Sequence, residues 1–220
     1  MVGAKPGICV SIVDNDLSAI KKVEPLVDFF EVRIDLIGRG WREVAGRLKK
    51  PWIACNRRAE EGGKWGGSEP DRIKELLGAL ELGANIIDVE IATPDAGKIV
   101  KEIKGKAGCL VSSHDTKGTP PLKKLKEILE DEINGGADIC KVVTTARTFA
   151  DNLSVLQLIT EFPTVKVVAF AMGEEGQISR ILCPLIGGYF TYASIKSGRE
   201  SAAGQVTAGE LRKIYGMIKA

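Results

Sequence analysis

The chain has a single histidine, His114, and its five cysteines (Cys9, Cys55, Cys109, Cys140, Cys183) show no CxxC spacing. A zinc centre is built from clustered imidazole and thiolate donors, so no metal is expected. No apolar run reaches the roughly 20 residues of a membrane span, and Met1 to Pro6 has no signal-peptide core. The expectation is no membrane association and a cytoplasmic protein. Four of the five cysteines fall in or beside apolar strand candidates, which suits reduced core thiols in that compartment. An excess of one charge is also missing: 31 basic residues face 29 acidic ones, a net +2 that gives no reason to expect nucleic acid or an anionic lipid surface. Low-complexity segments and linker-like charge runs are absent too. The expectation is one domain over residues 1–220, with 44% hydrophobic residues to fill a sizeable core.

What is present is a regular alternation. Apolar segments of strand length are Gly7–Val13, Phe29–Asp35, Trp52–Asn56, Ile86–Ile91, Cys109–Asp115, Ile139–Val143, Val165–Met172 and Tyr189–Ile195. Helical patterns follow them at Leu17–Val27, Trp41–Leu48, Ser68–Leu82, Pro94–Lys104, Leu122–Asn134, Phe149–Glu161, Glu175–Leu185 and Ala208–Ile218. Short connections between alternating elements imply parallel strands and right-handed crossovers, and eight such units close into a (β/α)8 TIM barrel. An open doubly wound sheet would favour a glycine fingerprint after the first strand, where this chain has Asp14-Asn15-Asp16. The junctions Gly83-Ala84-Asn85 and Gly136-Ala137-Asp138 repeat one pattern, which puts Asp88 and Lys141 at equivalent places on alternate strands, at one depth if both point inward.

Ionisable and polar residues gather at the carboxyl ends of the strands, where barrels carry their sites: Ser11, Glu31, Arg33, Arg57, Glu90, His114, Lys141 and Met172. Lys141 interrupts an apolar strand. Either it pairs with a carboxylate, Asp88 or Glu90 being candidates, or its desolvated amine is a nucleophile able to form a Schiff base with a ketone. His114 ends the neighbouring strand and can shuttle a proton there. Arg33 has Glu31 and Asp35 as potential partners. Arg180, after the seventh strand, can clamp a carboxylate bidentately. Lys196–Gly204 follows the eighth strand and reads as a lid, with Gly198 and Gly204 as hinges.

Taken together, six blocks in this order resemble a known family. They are Glu31-Val32-Arg33-Ile34-Asp35; Arg57 with Glu61-Gly62-Gly63; Ser112-Ser113-His114-Asp115 with Thr119-Pro120; Asp138-Ile139-Cys140-Lys141; Met172-Gly173 with Ile178-Ser179-Arg180; and Ser201-Ala202-Ala203-Gly204-Gln205. The chain resembles the type I 3-dehydroquinate dehydratases over nearly its whole length. The resemblance implies a lyase without cofactor that acts on the small molecule 3-dehydroquinate in the shikimate pathway of aromatic amino acid biosynthesis. It implies a Schiff base on Lys141 and proton transfer by His114. Arg180, Ser201 and Gln205 would surround the substrate carboxylate. Ser11, Glu31, Arg33 and Arg57 would position the ring and its hydroxyls, supported by Glu61. A homodimer is the candidate assembly, which nothing in the sequence fixes. The lid lacks the proline the family usually has before the glycine, and Ser113 stands where an aromatic is common. The rivals are a class I aldolase, for which Glu174-Glu175 after Gly173 is a poor phosphate site, and an inactive barrel used for binding, for which lysine and histidine would be superfluous.

Overall fold

The computed structural model describes residues 6–218, so the reading of Met1 to Pro6 lies outside it except for Pro6. Eight strands form one parallel sheet: β1 (Ile8–Ile12), β2 (Phe29–Arg33), β3 (Trp52–Cys55), β4 (Ile86–Glu90), β5 (Gly108–His114), β6 (Ile139–Thr145), β7 (Val167–Met172) and β8 (Thr191–Ala193). Each strand lies beside the next in sequence, and β8 returns to β1. A backbone bond from Tyr189 N–H to the Val167 carbonyl, 2.8 Å, brings the start of β8 to the start of β7 and completes the barrel. The helices are α1 (Leu17–Val23), α2 (Ile34–Ile37), α3 (Trp41–Ala45), α4 (Glu69–Leu77), α5 (Ala96–Ile103), α6 (Leu122–Asn134), α7 (Ala150–Glu161), α8 (Gln177–Leu182) and α9 (Ala208–Met217). The (β/α)8 order expected from the sequence is therefore present. Among the described residues no helix is long and apolar enough to cross a membrane.

Helix starts follow from local chemistry. The carboxylate of Asp16 accepts from Ala19 N–H at 3.0 Å and starts α1, and the Ser68 hydroxyl accepts from Asp71 N–H to start α4. Thr207 and Glu210 form a reciprocal capping box at α9. Caps of this kind each stabilise by about 1 kcal/mol. Several elements are shorter than the sequence reading, α4 ending at Leu77 rather than Leu82 and β8 spanning Thr191–Ala193 rather than Tyr189–Ile195, and one boundary bears on the site. β2 stops at Arg33, and Asp35 sits in a helical turn rather than on a strand face beside Glu31. The cause is the Asp35 carboxylate, which accepts two bonds from Arg33 (2.9 and 2.7 Å) and one from Lys64 N–H (3.0 Å), contacts that a continued strand would not reach.

The repeated junction is a working device. Asn85, just ahead of β4, accepts from the first N–H of β3 (Trp52, 3.0 Å) and donates its own N–H to the Trp52 carbonyl. Asp138 does the same ahead of β6 with Cys109 (2.8 Å), and Asp28 ahead of β2 with Ile8 (2.9 Å). The side chain thus satisfies a strand-end donor that would otherwise be left unpaired.

Period 2 divides each strand. Cys140 and Val142 pack outward on Leu125, Leu129, Val155 and Leu158 of α6 and α7. Inside the barrel, Cys9, Ile53, Ile86, Leu110, Ile139, Val168 and Phe190 form an apolar plug. All five cysteines are buried and free. Above the plug, toward the carboxyl ends of the strands, the interior turns polar.

Candidate active site

The polar layer is organised around Asp88 of β4. Its Oδ2 accepts from Arg57 at 2.7 Å and from Lys141 Nζ at 3.0 Å, and its Oδ1 from the Ser112 hydroxyl at 2.6 Å. Burial alone would raise its pKa, but Arg57 and Lys141 outweigh this and hold the carboxyl down at about 2. Arg57 also donates to Glu90 (2.9 Å) and Ser112 (2.8 Å). Its guanidinium is committed to this brace, although it also lines the cavity above. Asp88 and Lys141 do share one depth, as the matching junctions suggested, and Asp88, not Glu90, is the lysine's partner.

Lys141 turns inward because β6 alternates, with Val143 on the same face. Nζ has Glu31 Oε1 at 3.5 Å as a second carboxylate and lies 4.3 Å from the Tyr192 ring centroid. The strand is pinned at this residue by Glu132 of α6, whose Oε2 accepts from Lys141 N–H at 2.9 Å. Burial pushes the Glu132 carboxyl well above the usual range, which favours its neutral form. Glu31, Cys55 and Asp88 offer three donor atoms within 4.8 Å of one another. Lys141 and Arg57 already supply the positive charge there, so this set does not suit a metal ion.

His114 ends β5, one strand from Lys141, and lies mostly buried. Nδ1 is 2.8 Å from Glu61 Oε2. Burial, then the positive charges of Arg57 and Lys141, push the imidazole pKa well below 6.5. Burial likewise raises the Glu61 carboxyl to about 7, against the opposing pull of Arg57. Both groups are driven toward their neutral forms, so the contact is a hydrogen bond rather than an ion pair. With Glu61 ionised, Nδ1–H donates to it and Nε2 keeps its lone pair.

Arg180 lies on α8, which Ser179 ties to β7 by accepting from Ala171 N–H (2.9 Å) and donating to the Gly176 carbonyl (2.7 Å). The residue is 1% exposed, and its guanidinium sits 4.4 Å over Phe170 and makes one bond of 3.3 Å to the Ala203 carbonyl, while Nε has no partner. The other buried arginines each hold a carboxylate at 2.7–2.9 Å. Arg180 has none among the described residues, and burial lowers its pKa to about 10. It is a buried cation without a counter-ion.

The segment after β8 closes over this end. Ser201 N–H donates to Gln205 Oε1 (2.8 Å) and Gln205 Nε2 to the Ser201 hydroxyl (2.9 Å). Gly173 N–H donates to Ala203 O at 3.1 Å. Gly204 has φ +79°, and a Cβ there would lie 2.2 Å from the Gly173 carbonyl. Glycine is required on both counts.

A cavity of about 320 Å³ results, large enough for a small ligand. Its wall includes Glu31, Arg33, Arg57, His114, Lys141, Arg180, Ser201 and Gln205 among the residues picked out by sequence. Ser11 is not on the wall: its hydroxyl donates to Glu31 at 2.8 Å and so orients that carboxylate from behind. Phe170, Val143 and Tyr192 line the cavity without having been picked out. Strand parity was the available signal, since Val143 shares Lys141's face. Gly187 and Gly188 lie at the opposite end: Gly188 N–H donates to the Cys183 carbonyl (2.8 Å), and the next residue, Tyr189, bonds Val167 at the start of β7.

Residues 8–220 match the family described as type I 3-dehydroquinase. The chain is 45% identical over 210 residues to the 3-dehydroquinate dehydratase of Dehalococcoides mccartyi, covering 96% of this chain and 94% of the relative. The Methanosarcina mazei 3-dehydroquinate dehydratase is 33% identical over 231 residues, covering 98% and 96%. Among solved structures, the type I 3-dehydroquinate dehydratase of Clostridium difficile, with covalently modified comenic acid, superposes with a TM-score of 0.85 at 24% identity, covering 98% of this chain and 93% of that one. The match over all but the first seven residues, with these relatives and this barrel, shows that the chain belongs to the type I 3-dehydroquinase family.

Proposed function

We propose that the chain dehydrates 3-dehydroquinate to 3-dehydroshikimate through a Schiff base on Lys141, with His114 as general base and then acid, as a step of the shikimate pathway. The relatives named above support the substrate. The observation that carries the mechanism is one cavity holding a buried primary amine, an imidazole kept neutral, and an arginine lacking a counter-ion.

The amine of Lys141 adds to the ketone carbon and the oxygen leaves as water, giving an iminium. The iminium withdraws electrons and acidifies the adjacent carbon, from which His114 Nε2 takes a proton. The enamine then expels the β-hydroxyl, which His114 protonates as it leaves. Water hydrolyses the conjugated iminium, releasing the enone and free Lys141. Arg180 fits the substrate carboxylate as a bidentate fork, with Ser201 and Gln205 closing that side. Glu31, set by Ser11, and Arg33, set by Asp35, face the ring hydroxyls.

The test is turnover of 3-dehydroquinate, followed by the ultraviolet absorbance of the conjugated enone, together with borohydride trapping. Borohydride with substrate should inactivate the enzyme and leave a reduced adduct that peptide mapping places on Lys141. Borohydride alone should do nothing, and Lys141→Ala should be inactive and unlabelled. Robust turnover with no adduct, or an adduct on another lysine, overturns the mechanism.

A further inference from the structure

Tyr192 stands on β8 across the barrel from Lys141. Its hydroxyl oxygen accepts a hydrogen bond from Lys141 Nζ at 3.2 Å, and the two are 51 residues apart in sequence. The ring is clamped edge-on by Phe170 (centroids 6.0 Å apart, 65°) and Phe190 (5.3 Å, 67°), and β8 is held in register by Cys9 opposite Tyr192. The residue is 3% exposed and lines the cavity. Packing against Phe170 and Phe190 would be served equally by a phenylalanine. A phenol there, aimed at the one nucleophilic amine, is the anomaly.

From this juxtaposition we propose that Tyr192 is a catalytic residue of the imine steps, holding Lys141 Nζ toward the substrate carbon and donating its O–H to the oxygen that leaves that carbon. The inference rests on the Schiff-base reading above. In the free enzyme the phenol oxygen accepts from Nζ, which leaves its own proton to be directed into the cavity. When Nζ bonds to the ketone carbon, the carbonyl π pair moves to oxygen, two bonds from the nitrogen the phenol already touches, and a proton passing from that nitrogen to the oxygen gives the carbinolamine. Protonation of the carbinolamine hydroxyl lets the C–O bond break, the nitrogen lone pair forms C=N, and water departs. The proton returns to the phenolate when water attacks the product iminium in the reverse sense, so no external donor is consumed. Burial beside Glu31 keeps the phenol protonated before the reaction, as a donor must be.

Tyr192→Phe keeps the ring and its packing and removes only the hydroxyl. Rapid-quench borohydride trapping with 3-dehydroquinate, read as intact mass against time, reports the rate at which the Lys141 adduct appears. The expected result is a rate lower than wild type by at least about tenfold, within the range of a positioned proton donor, with the same final adduct and a substrate affinity within about twofold. An adduct rate equal to wild type overturns the proposal while leaving the Schiff base intact. A wild-type enzyme that turns over without any adduct overturns both. A Tyr192→Phe enzyme slowed only through weaker substrate affinity, with the saturating adduct rate unchanged, also overturns it.

Discussion

Nδ1 of His114 and Oε2 of Glu61 lie 2.8 Å apart, although each environment drives its own group toward neutrality. The imidazole is therefore driven toward its free base, and the ionisation placed near neutrality is that of Glu61, at about 7. The ionised carboxylate can only accept, from Nδ1–H, and so leaves Nε2 as the base, whereas a neutral Glu61 can donate its O–H to Nδ1 and place the ring proton on Nε2.

Activity should accordingly rise with pH through about 7, following Glu61. In Glu61→Gln the carboxyl is gone, so this acid limb should move to lower pH, toward the depressed value of His114, with a smaller kcat because the ring is less well oriented. His114→Ala should still form the borohydride-trappable adduct while kcat falls by roughly 10²–10⁴. A kcat/KM profile with the same acid limb in Glu61→Gln would assign that limb elsewhere.

Arg180→Lys should not be conservative. The guanidinium is buried without a carboxylate of its own, and an ammonium cannot reproduce a two-pronged contact with the substrate's. Losing one charged hydrogen bond of about 1.5–3 kcal/mol raises KM by roughly 10- to 100-fold. Steady-state kinetics with 3-dehydroquinate measure this, and an unchanged KM would place the carboxylate clamp on another residue.

The lid offers a graded series. Ser201→Ala and Gln205→Ala each remove a member of the pair that shapes the loop, so KM should rise while the Lys141 adduct still forms. Gly204→Ala should be the most damaging of the three, because its Cβ meets the Gly173 carbonyl and φ is positive. Substrate protection of this segment against limited proteolysis should weaken in the same order. Equal protection in all three variants would mean that the segment does not close on substrate.

Asp88 is the electrostatic centre of the barrel, and Asp88→Ala leaves Arg57 and Lys141 buried without their shared partner. The expected cost is about 3–5 kcal/mol of stability, measurable by urea unfolding. The pH dependence has a definite sign. The folded pKa is depressed to about 2, so the contribution of Asp88 is complete above the unfolded value near 3.9 and is lost as pH falls toward 2. His114 acts in the same direction higher up: its folded pKa is also depressed, so protonation of the unfolded chain costs stability as pH drops below about 6.5. Acid unfolding of Asp88→Ala should lack the lower of these two components. An identical acid profile would show that Asp88 is not held as described.

Much of this was written into local chemistry. The order of strands and helices followed from periods of 2 and 3.6 in the apolar residues, and Asp16 and Ser68 marked helix starts because their short polar side chains reach nearby N–H groups. Lys141 and His114 stood out because an apolar strand and a solitary imidazole are visible in one dimension. The pairing of Asp88 with Lys141 was anticipated only through the repeat of Gly83-Ala84-Asn85 in Gly136-Ala137-Asp138.

Closure decided the rest. Strand parity says which face a side chain takes but not how far it reaches across a barrel, so parity alone left open whether Asp88 or Glu90 meets Lys141, and it did not set Ser11 behind Glu31. The end of β2 at Arg33 depends on a carboxylate met by Lys64, 29 residues on. The placement of Tyr192 against Lys141 depends on β8 meeting β1. Most of all, that Arg180 has no counter-ion among the described residues is a property of everything packed around it. A sequence shows which charges exist, whereas burial and distance, which set their mutual energies, exist only once the chain has closed on itself.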